Sequence, residues 1–313
     1  MNPAWSVILL TTLLGAGQGL YCALVGAEFA AAFAVGETRP PAAFYIAGSA
    51  LSLGFLVSGL IASIFHLGHP ERGWRAAAMW RTSWLSREVI VLPAFMTLVF
   101  IYGVAHYAGG TATLWIGAAG AVVCIALFVC TAMIYACLKF LQEWHTPLTL
   151  VNYFLLGCAS GLTFSAALAA VTAPALVAAL AAAAGAFTLA GCVSRIATLA
   201  RNARLKPKST LQTAIGIKHP RIQQKAQGQM GGSFNTREFF HGKSARWLRS
   251  VKWFFLGAAF ALPLLLLAAG VAQNSPALLA AAFAVQFAGL LAERWFFFAQ
   301  ARHPQNLYYE VVS

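Results

Sequence analysis

Eight long apolar stretches, separated by polar connections, constrain this chain more than any other feature. They cover approximately residues 5–33, 43–66, 88–108, 111–138, 147–171, 174–200, 251–272 and 277–300. A helix of about 20 apolar residues crosses the roughly 30 Å hydrocarbon layer of a membrane. In lipid such a stretch must be helical, because a helix satisfies its own backbone hydrogen bonds. The sequence therefore predicts an all-α integral membrane protein, a bundle of eight transmembrane helices.

The composition agrees with lipid as the main solvent. Of the 313 residues, 60% are hydrophobic and 9% are charged, whereas soluble domains carry about 25% charged residues. The polar stretches have no apolar core of their own, so residues 1–313 are predicted to form a single membrane domain. Short connections near 109–110, 172–174 and 273–276 carry no Lys or Arg and predict helical hairpins.

The net charge of +13 is distributed asymmetrically along the chain. With eight spans, both termini lie on one side of the membrane, together with the connections after spans two, four and six. This side carries 19 of the 21 Lys and Arg residues, and the opposite side carries Arg39. Because basic connections stay in the cytoplasm, we expect both termini and a long basic loop at 201–250 to be cytoplasmic. The pattern favours anionic membrane lipid and partner proteins over nucleic acid.

The cysteines and histidines predict no metal, haem or iron–sulfur cluster on this chain. None of the six cysteines forms a C-x-x-C pair, the spacing typical of zinc sites and clusters. A haem between helices needs facing imidazoles inside the membrane, and none of the seven histidines falls in the middle of a predicted span.

The densest group of candidate functional residues surrounds the second connection. His66 ends the second predicted span and Glu88 begins the third, with Trp84 and Arg87 just before it. In an antiparallel hairpin, His66 and Glu88 reach the same membrane depth. A histidine and a carboxylate there can bind a quinone headgroup and exchange the protons of its two-electron reaction, and Arg87 and Trp84 are predicted to contribute to the same quinone-binding site. The alternative is an interfacial belt of aromatic and basic side chains without a ligand.

Two further acids lie inside predicted spans, where an ionised carboxylate is costly. Glu28, toward the outer side of the first span, is predicted to be either a proton-transfer group or a neutral hydrogen-bonded acid. Glu293, in the last span, either transfers protons or pairs with Arg294 or Arg195. The chain has no P-loop, nucleophile elbow or dinucleotide fingerprint, so we expect it to exchange electrons with another subunit.

Several segments resemble the membrane anchor subunit of dimethyl sulfoxide reductase. They are Ile61-Ala-Ser-Ile-Phe-His-Leu-Gly-His-Pro70, Leu85-Ser-Arg-Glu88, Trp144–Gly161 and Ala292-Glu-Arg-Trp-Phe-Phe-Phe298. The resemblance implies an eight-helix anchor without haem. It also implies a docked four-cluster, ferredoxin-like iron–sulfur subunit, which contacts a molybdopterin catalytic subunit. In that family the residues matching His66 and Glu88 are associated with quinol binding.

One segment departs from the best-known members of this family, the added basic loop at 210–242. The predicted orientation also differs, because it places the docking edge in the cytoplasm and not in the periplasm. It resembles that of a cytoplasm-facing sulfite dehydrogenase, and so implies electron flow from sulfite to ubiquinone or menaquinone. The alternatives are the anchor of a DMSO-type reductase that oxidises quinol and, outside this class, a membrane transporter.

Basic and histidine side chains on the cytoplasmic connections are predicted to dock the partner subunits at the bacterial inner membrane. The predicted docking residues are Arg72, Arg75, Lys218, His219, Arg221, Arg237 and His241.

Overall fold

A computed structural model describes residues 1–33, 39–65, 67–222 and 239–307, and this part of the chain forms helices and turns without a strand. Eight of the helices are long and apolar enough to cross a membrane, which confirms the predicted all-α fold class. They are α1 (Trp5–Phe33), α2 (Ala42–Ile64), α3 (Trp84–Tyr107), α4 (Thr113–Ala136), α5 (Pro147–Thr172), α6 (Val177–Ala203), α7 (Ala245–Ala272) and α8 (Pro276–Ala299).

Three short connections join antiparallel neighbours, as the sequence predicts. α3 packs against α4, α5 against α6, and α7 against α8. Gly109 (φ 67°) and Asn274 (φ 47°) supply left-handed backbone positions in the first and third of these turns. Glycine and asparagine are the residues that adopt this conformation most readily.

The basic connection after α6 is shorter than the predicted 201–250, because helices extend into it from both ends. α6 continues through Ala203, and α7 begins at Ala245 instead of 251. The Ser244 hydroxyl caps α7 by accepting a hydrogen bond from the backbone of Trp247. Hydropathy alone predicts a loop for the first turns of α7, because three basic residues lower the average there: Arg246, Arg249 and Lys252.

α1 is the central helix of the bundle and packs against α2, α4, α5 and α8. It crosses α5 with backbone almost touching backbone. A Cβ on Gly161 would lie 2.0 Å from the carbonyl carbon of Gly19, and a Cβ on Gly19 would lie 2.1 Å from the carbonyl oxygen of Gly157. Small residues that let backbones approach are the usual way for helices to associate in lipid. This crossing fixes the depth of α1 relative to α5.

α7 contains a π-helical turn at Gly257–Ala261, which leaves backbone carbonyls without their regular helical partners. The side-chain amide of Gln286 on α8 donates to the Ala259 carbonyl (3.3 Å) and to the Thr188 hydroxyl (3.0 Å). Gln286 therefore ties the irregular turn of α7 to α6 and α8.

The two ends of the described chain meet at one end of the bundle. The backbone nitrogen of Met1 donates to the carbonyl oxygen of Ala301 at 2.8 Å. An even number of spans places both ends on the same side of the membrane, in agreement with this contact. The same end carries the basic connections after α2, α4 and α6, and it is called the basic end below.

Candidate functional site

The Glu88 carboxyl is buried between α3 and α4. α3 begins four residues before the predicted start at 88, because Ser83 caps it by accepting a hydrogen bond from the backbone of Ser86. Glu88 therefore lies just over one turn inside the helix, with 6% of its surface exposed. The Thr131 hydroxyl donates to Glu88 Oε1 at 2.5 Å. A buried carboxyl with one hydroxyl partner can bind a ligand and exchange a proton with it.

Arg87 and Trp84 lie beside Glu88 in sequence, but their side chains contact each other and the preceding turn. The Arg87 guanidinium stacks over the Trp84 ring, 4.1 Å from its centroid. It also donates to the carbonyls of Trp80 and Arg81, at 2.9 Å each. Arg87 thus holds the turn before α3 in place, and the structure brings these two predicted quinone-binding residues to each other and not to the Glu88 carboxyl.

His66, the other half of the predicted pair, lies outside the described residues. α2 ends at Ile64, and Phe65 after it has 82% of its surface exposed. The 3₁₀ helix Pro70–Ala77 follows, and it carries Arg72 and Arg75 exposed at the basic end.

A small cavity with both polar and apolar lining residues lies beside Thr131. Its volume of about 10 Å³ is close to the room that one water molecule needs. α1, α4, α5 and α8 enclose it, and its lining includes hydroxyls, an amide and a guanidinium. The polar lining residues are Thr11, Thr12, Gln18, Thr131, Tyr153, Ser160 and Arg294.

Glu293 is held between two arginines, one of which, Arg294, lines this cavity. Arg195 Nε lies 2.7 Å from Glu293 Oε1, and Arg294 Nη1 lies 3.5 Å from Glu293 Oε2. The Arg294 guanidinium also stacks on Tyr153, 3.7 Å from the ring centroid. The structure therefore has both ion pairs that the sequence allowed for Glu293. With all three groups ionised, this buried cluster has one net positive charge.

Glu28 lies toward the opposite end of the bundle, in a cluster with α2 and α3. Tyr102 donates its phenol proton to Glu28 Oε2 at 2.7 Å, and His106 Nε2 lies 3.5 Å from the same oxygen. The His106 ring stacks on Tyr45 at 4.2 Å between centroids. Glu28 thus accepts a hydrogen bond, and both alternatives for it, a neutral hydrogen-bonded acid or a proton-transfer group, stay predictions.

The family-like segments Trp144–Gly161 and Ala292–Phe298 pack against each other near the basic end. Trp144 Nε1 donates to the carbonyl of Phe297 at 2.9 Å, and the two rings stack with centroids 5.3 Å apart. Tyr153 of the first segment receives Arg294 of the second. Two stretches that are far apart in sequence therefore form one contact surface between α5 and α8.

The predicted docking residues occupy different environments. The turn after the short helix Leu211–Ile215 exposes three of them, and the backbone of Arg221 donates to His219 Nδ1 there. His241 instead is 7% exposed and lies near Trp295, with its Nδ1 accepting from the backbone of Lys243. Arg237 lies outside the described residues. The exposed members are Arg72, Arg75, Lys218, His219 and Arg221.

Sequence reasoning missed the partners of the buried acids. Thr131 and Tyr102 are polar residues in largely apolar spans, and a threonine in a helix often bonds to its own helix backbone. Their acceptors lie 43 and 74 residues away in sequence, on other helices. Only the acids themselves pointed to these partners in the sequence, because a buried carboxyl needs a hydrogen-bond donor on a neighbouring helix.

The fold and these buried groups define a multi-pass membrane protein with one basic end and carboxyls inside the bundle. The chain belongs to the family described as DMSO reductase anchor subunit (DmsC), whose model matches residues 1–300. The C subunit of the sulfite dehydrogenase of Allochromatium vinosum is 55% identical to it over 328 aligned positions that cover all of both chains. The family predicted from the segments around His66, Trp144 and Glu293 is confirmed.

Proposed function

We propose that this chain is the membrane anchor and quinone-reacting subunit of a sulfite dehydrogenase. In this proposal, sulfite is oxidised at a molybdopterin subunit. Two electrons then pass through a four-cluster, ferredoxin-like iron–sulfur subunit to ubiquinone or menaquinone near Glu88. The observation that carries the proposal is the buried Glu88 carboxyl, bonded to Thr131 near the basic end. The full-length likeness to a protein named as part of a sulfite dehydrogenase supports sulfite as the substrate of the complex.

The surroundings of Glu88 fit a quinone headgroup with an isoprenoid tail. The carboxyl is buried about one turn inside α3, and exposed apolar side chains lie near the same end of α2 and α3, where a tail can rest in lipid. A bound quinone supplies the redox chemistry that the side chains lack. Glu88 hydrogen-bonds one quinone oxygen and passes it a proton. His66, which lies outside the described residues, serves the second oxygen.

The orientation of the complex follows from the basic end. By sequence, 19 of the 21 Lys and Arg residues belong to the termini and connections expected on this side, which we assign to the cytoplasm of a bacterial inner membrane. The partner subunits dock there, against the exposed basic residues of the connections. Ile215 and Ile217 are also exposed beside Lys218, so this turn offers a partner both apolar surface and positive charge.

A second candidate function is the anchor of a DMSO-type reductase, which oxidises quinol at the same site. The description of the matching family favours it. The cofactors of the partner subunits set the direction of electron flow. Membranes with and without this chain distinguish the two functions. The first predicts quinone reduction by sulfite only when the chain is present, and the second predicts DMSO reduction by quinol with no response to sulfite.

Substitution of Glu88 tests the site within the assembled complex. We expect Glu88→Gln to lower quinone reduction by sulfite at least about a hundredfold, the usual contribution of a general acid or base. Sulfite oxidation with a soluble electron acceptor should be unchanged, because that electron path ends before the quinone. Glu71→Gln is the matched control, since Glu71 is an exposed acid in the neighbouring connection. Normal quinone reduction by the Glu88 variant would place the quinone elsewhere.

Charge reversal tests the docking surface. Lys218→Glu together with Arg221→Glu should release the soluble subunits from washed membranes. Arg39→Glu is the control, because Arg39 is exposed in the connection at the opposite end of the bundle. Full retention of the subunits by the double variant would assign this turn another role.

A further inference from the structure

A line of buried polar side chains connects the basic end with the cavity behind Glu88. It lies between α5, α6 and α8 and is called the polar column below. Apolar side chains are the norm inside a membrane bundle, and polar ones cost free energy unless they are bonded. The polar column consists of Asn152, Ser194, Arg195, Thr198, Glu293 and Arg294, all buried.

The outer part of the column begins one turn below the surface of the bundle. Asn152 Nδ2 donates to the Thr198 hydroxyl at 2.8 Å. Arg201, half-buried at the basic end, follows Thr198 by three residues on α6 and donates to the carbonyl of Gln142. Residues three apart share one helix face, so Thr198 lies directly below the half-buried Arg201.

The inner part of the column leads to the cavity. Arg195 precedes Thr198 by three residues on the same face of α6 and pairs with Glu293 at 2.7 Å. Glu293 also pairs with Arg294, which lines the cavity opposite Thr131. The Thr131 hydroxyl then bonds to Glu88. Polar groups therefore lie at intervals from the basic end to Glu88. Among the described side chains, no hydrogen bond joins Arg201 to Thr198, Thr198 to Arg195, or Arg294 to Thr131 across the cavity, so these steps need water.

Three atoms of the column have neither a hydrogen-bond partner nor an ion-pair partner among the described residues. They are Asn152 Oδ1, Ser194 Oγ and Arg195 Nη2, and all three are buried. Buried polar atoms in proteins are nearly always bonded, and where no protein partner exists the usual partner is ordered water. Together with a cavity of about 10 Å³, these atoms define places for internal water along the column.

We propose that the polar column is a water-filled proton inlet that delivers protons from the basic end to Glu88. The inference rests on the proposed quinone site. For each proton that Glu88 gives to reduced quinone, one proton enters from water near Arg201 and moves inward along hydroxyls and waters. Waters beside the Glu293 ion pairs relay it inward while Glu293 remains paired with both arginines, and the water beside Thr131 returns it to Glu88. Thr131 and Thr198 are positioning residues, because each holds one link of this path.

Hydrogen–deuterium exchange at the Glu88 carboxyl tests the inlet without any quinone present. The carbonyl band of the protonated carboxyl is followed by infrared spectroscopy on the whole complex at low pH, and it is assigned by its loss in Glu88→Gln. We expect Thr198→Val to slow exchange at this band at least about tenfold, since a valine side chain relays no proton. Thr198→Ser should restore the rate. Thr163→Val is the control, because Thr163 is buried on α5 and bonds only to its own helix.

Turnover provides the second readout. Thr131→Val and Thr198→Val should lower quinone reduction by sulfite more at high pH than at low pH, while oxidation with a soluble acceptor stays unchanged. If both variants keep the exchange rate and the pH profile of the parent protein while Glu88→Gln is inactive, the inlet is refuted and the quinone site stands. If Glu88→Gln turns over normally, the proposed function fails instead.

Discussion

Replacing Gly161 by alanine tests the crossing of α1 and α5. The added Cβ would lie 2.0 Å from the carbonyl carbon of Gly19, and the atoms in its way are backbone and not the flexible end of a side chain. Carbon atoms in contact are about 3.5–4.0 Å apart, so the helices must separate by roughly 1.5 Å at this point. Overpacking a buried site costs about 1–3 kcal/mol, and a backbone obstacle places this variant near the upper end.

The matched control is Gly54→Ala on α2, where an added Cβ meets no atom within 4 Å. Both variants gain the same helix propensity, about 0.5–1 kcal/mol, so the difference between them isolates the crossing. We expect Gly161→Ala to be about 3 kcal/mol less stable than Gly54→Ala in equilibrium unfolding of the purified anchor in detergent. Equal free energies of unfolding would show that α1 and α5 are not held at this distance.

Three further substitutions test individual buried contacts by the same unfolding measurement. Glu293→Gln leaves Arg195 without its counter-ion and should cost about 3–5 kcal/mol, whereas the double variant Arg195→Met, Glu293→Met should recover only part of that loss, because Arg294 still lacks its carboxylate. A double variant as unstable as the single one would contradict this. Trp144→Phe keeps the ring stacking but removes a donor to a carbonyl of α8, at a cost of about 1–3 kcal/mol, and exposed Trp115→Phe should be neutral. Gln286→Leu leaves the π-turn carbonyl of α7 without its donor and should also lower the free energy of unfolding by about 1–3 kcal/mol.

The spans could be predicted from sequence because hydropathy reports directly on the solvent around a helix. The predicted start of α5 agrees with the observed one, because Thr146 and Pro147 mark it in the sequence. Its predicted and observed C-terminal ends differ by one residue. The start of α7 could not be found in this way. Arg246 and Arg249 extend into water while their helix continues, and a hydropathy average cannot separate this from a loop.

The candidate site was only partly accessible from sequence. Glu88 is identifiable by itself, because an acid near the end of an apolar span is unusual. The donor that holds it is not, since Thr131 meets Glu88 only through the packing of α3 on α4. The polar column is less visible still, because Asn152 and Thr198 are ordinary residues in their own helices. Only the pairing of α5 with α6 brings them together.

The central position of α1 has a consequence for how the chain is inserted. α1 leaves the ribosome before the other seven helices, yet its polar groups bond to helices that are made later. Gln18 donates to the carbonyl of Cys124 on α4, and Glu28 accepts from Tyr102 on α3. Until those helices arrive, each unbonded polar group in lipid costs several kcal/mol. We therefore expect α1 to stay beside the insertion machinery until α3 and α4 have been made, and not to be released into the bilayer before them.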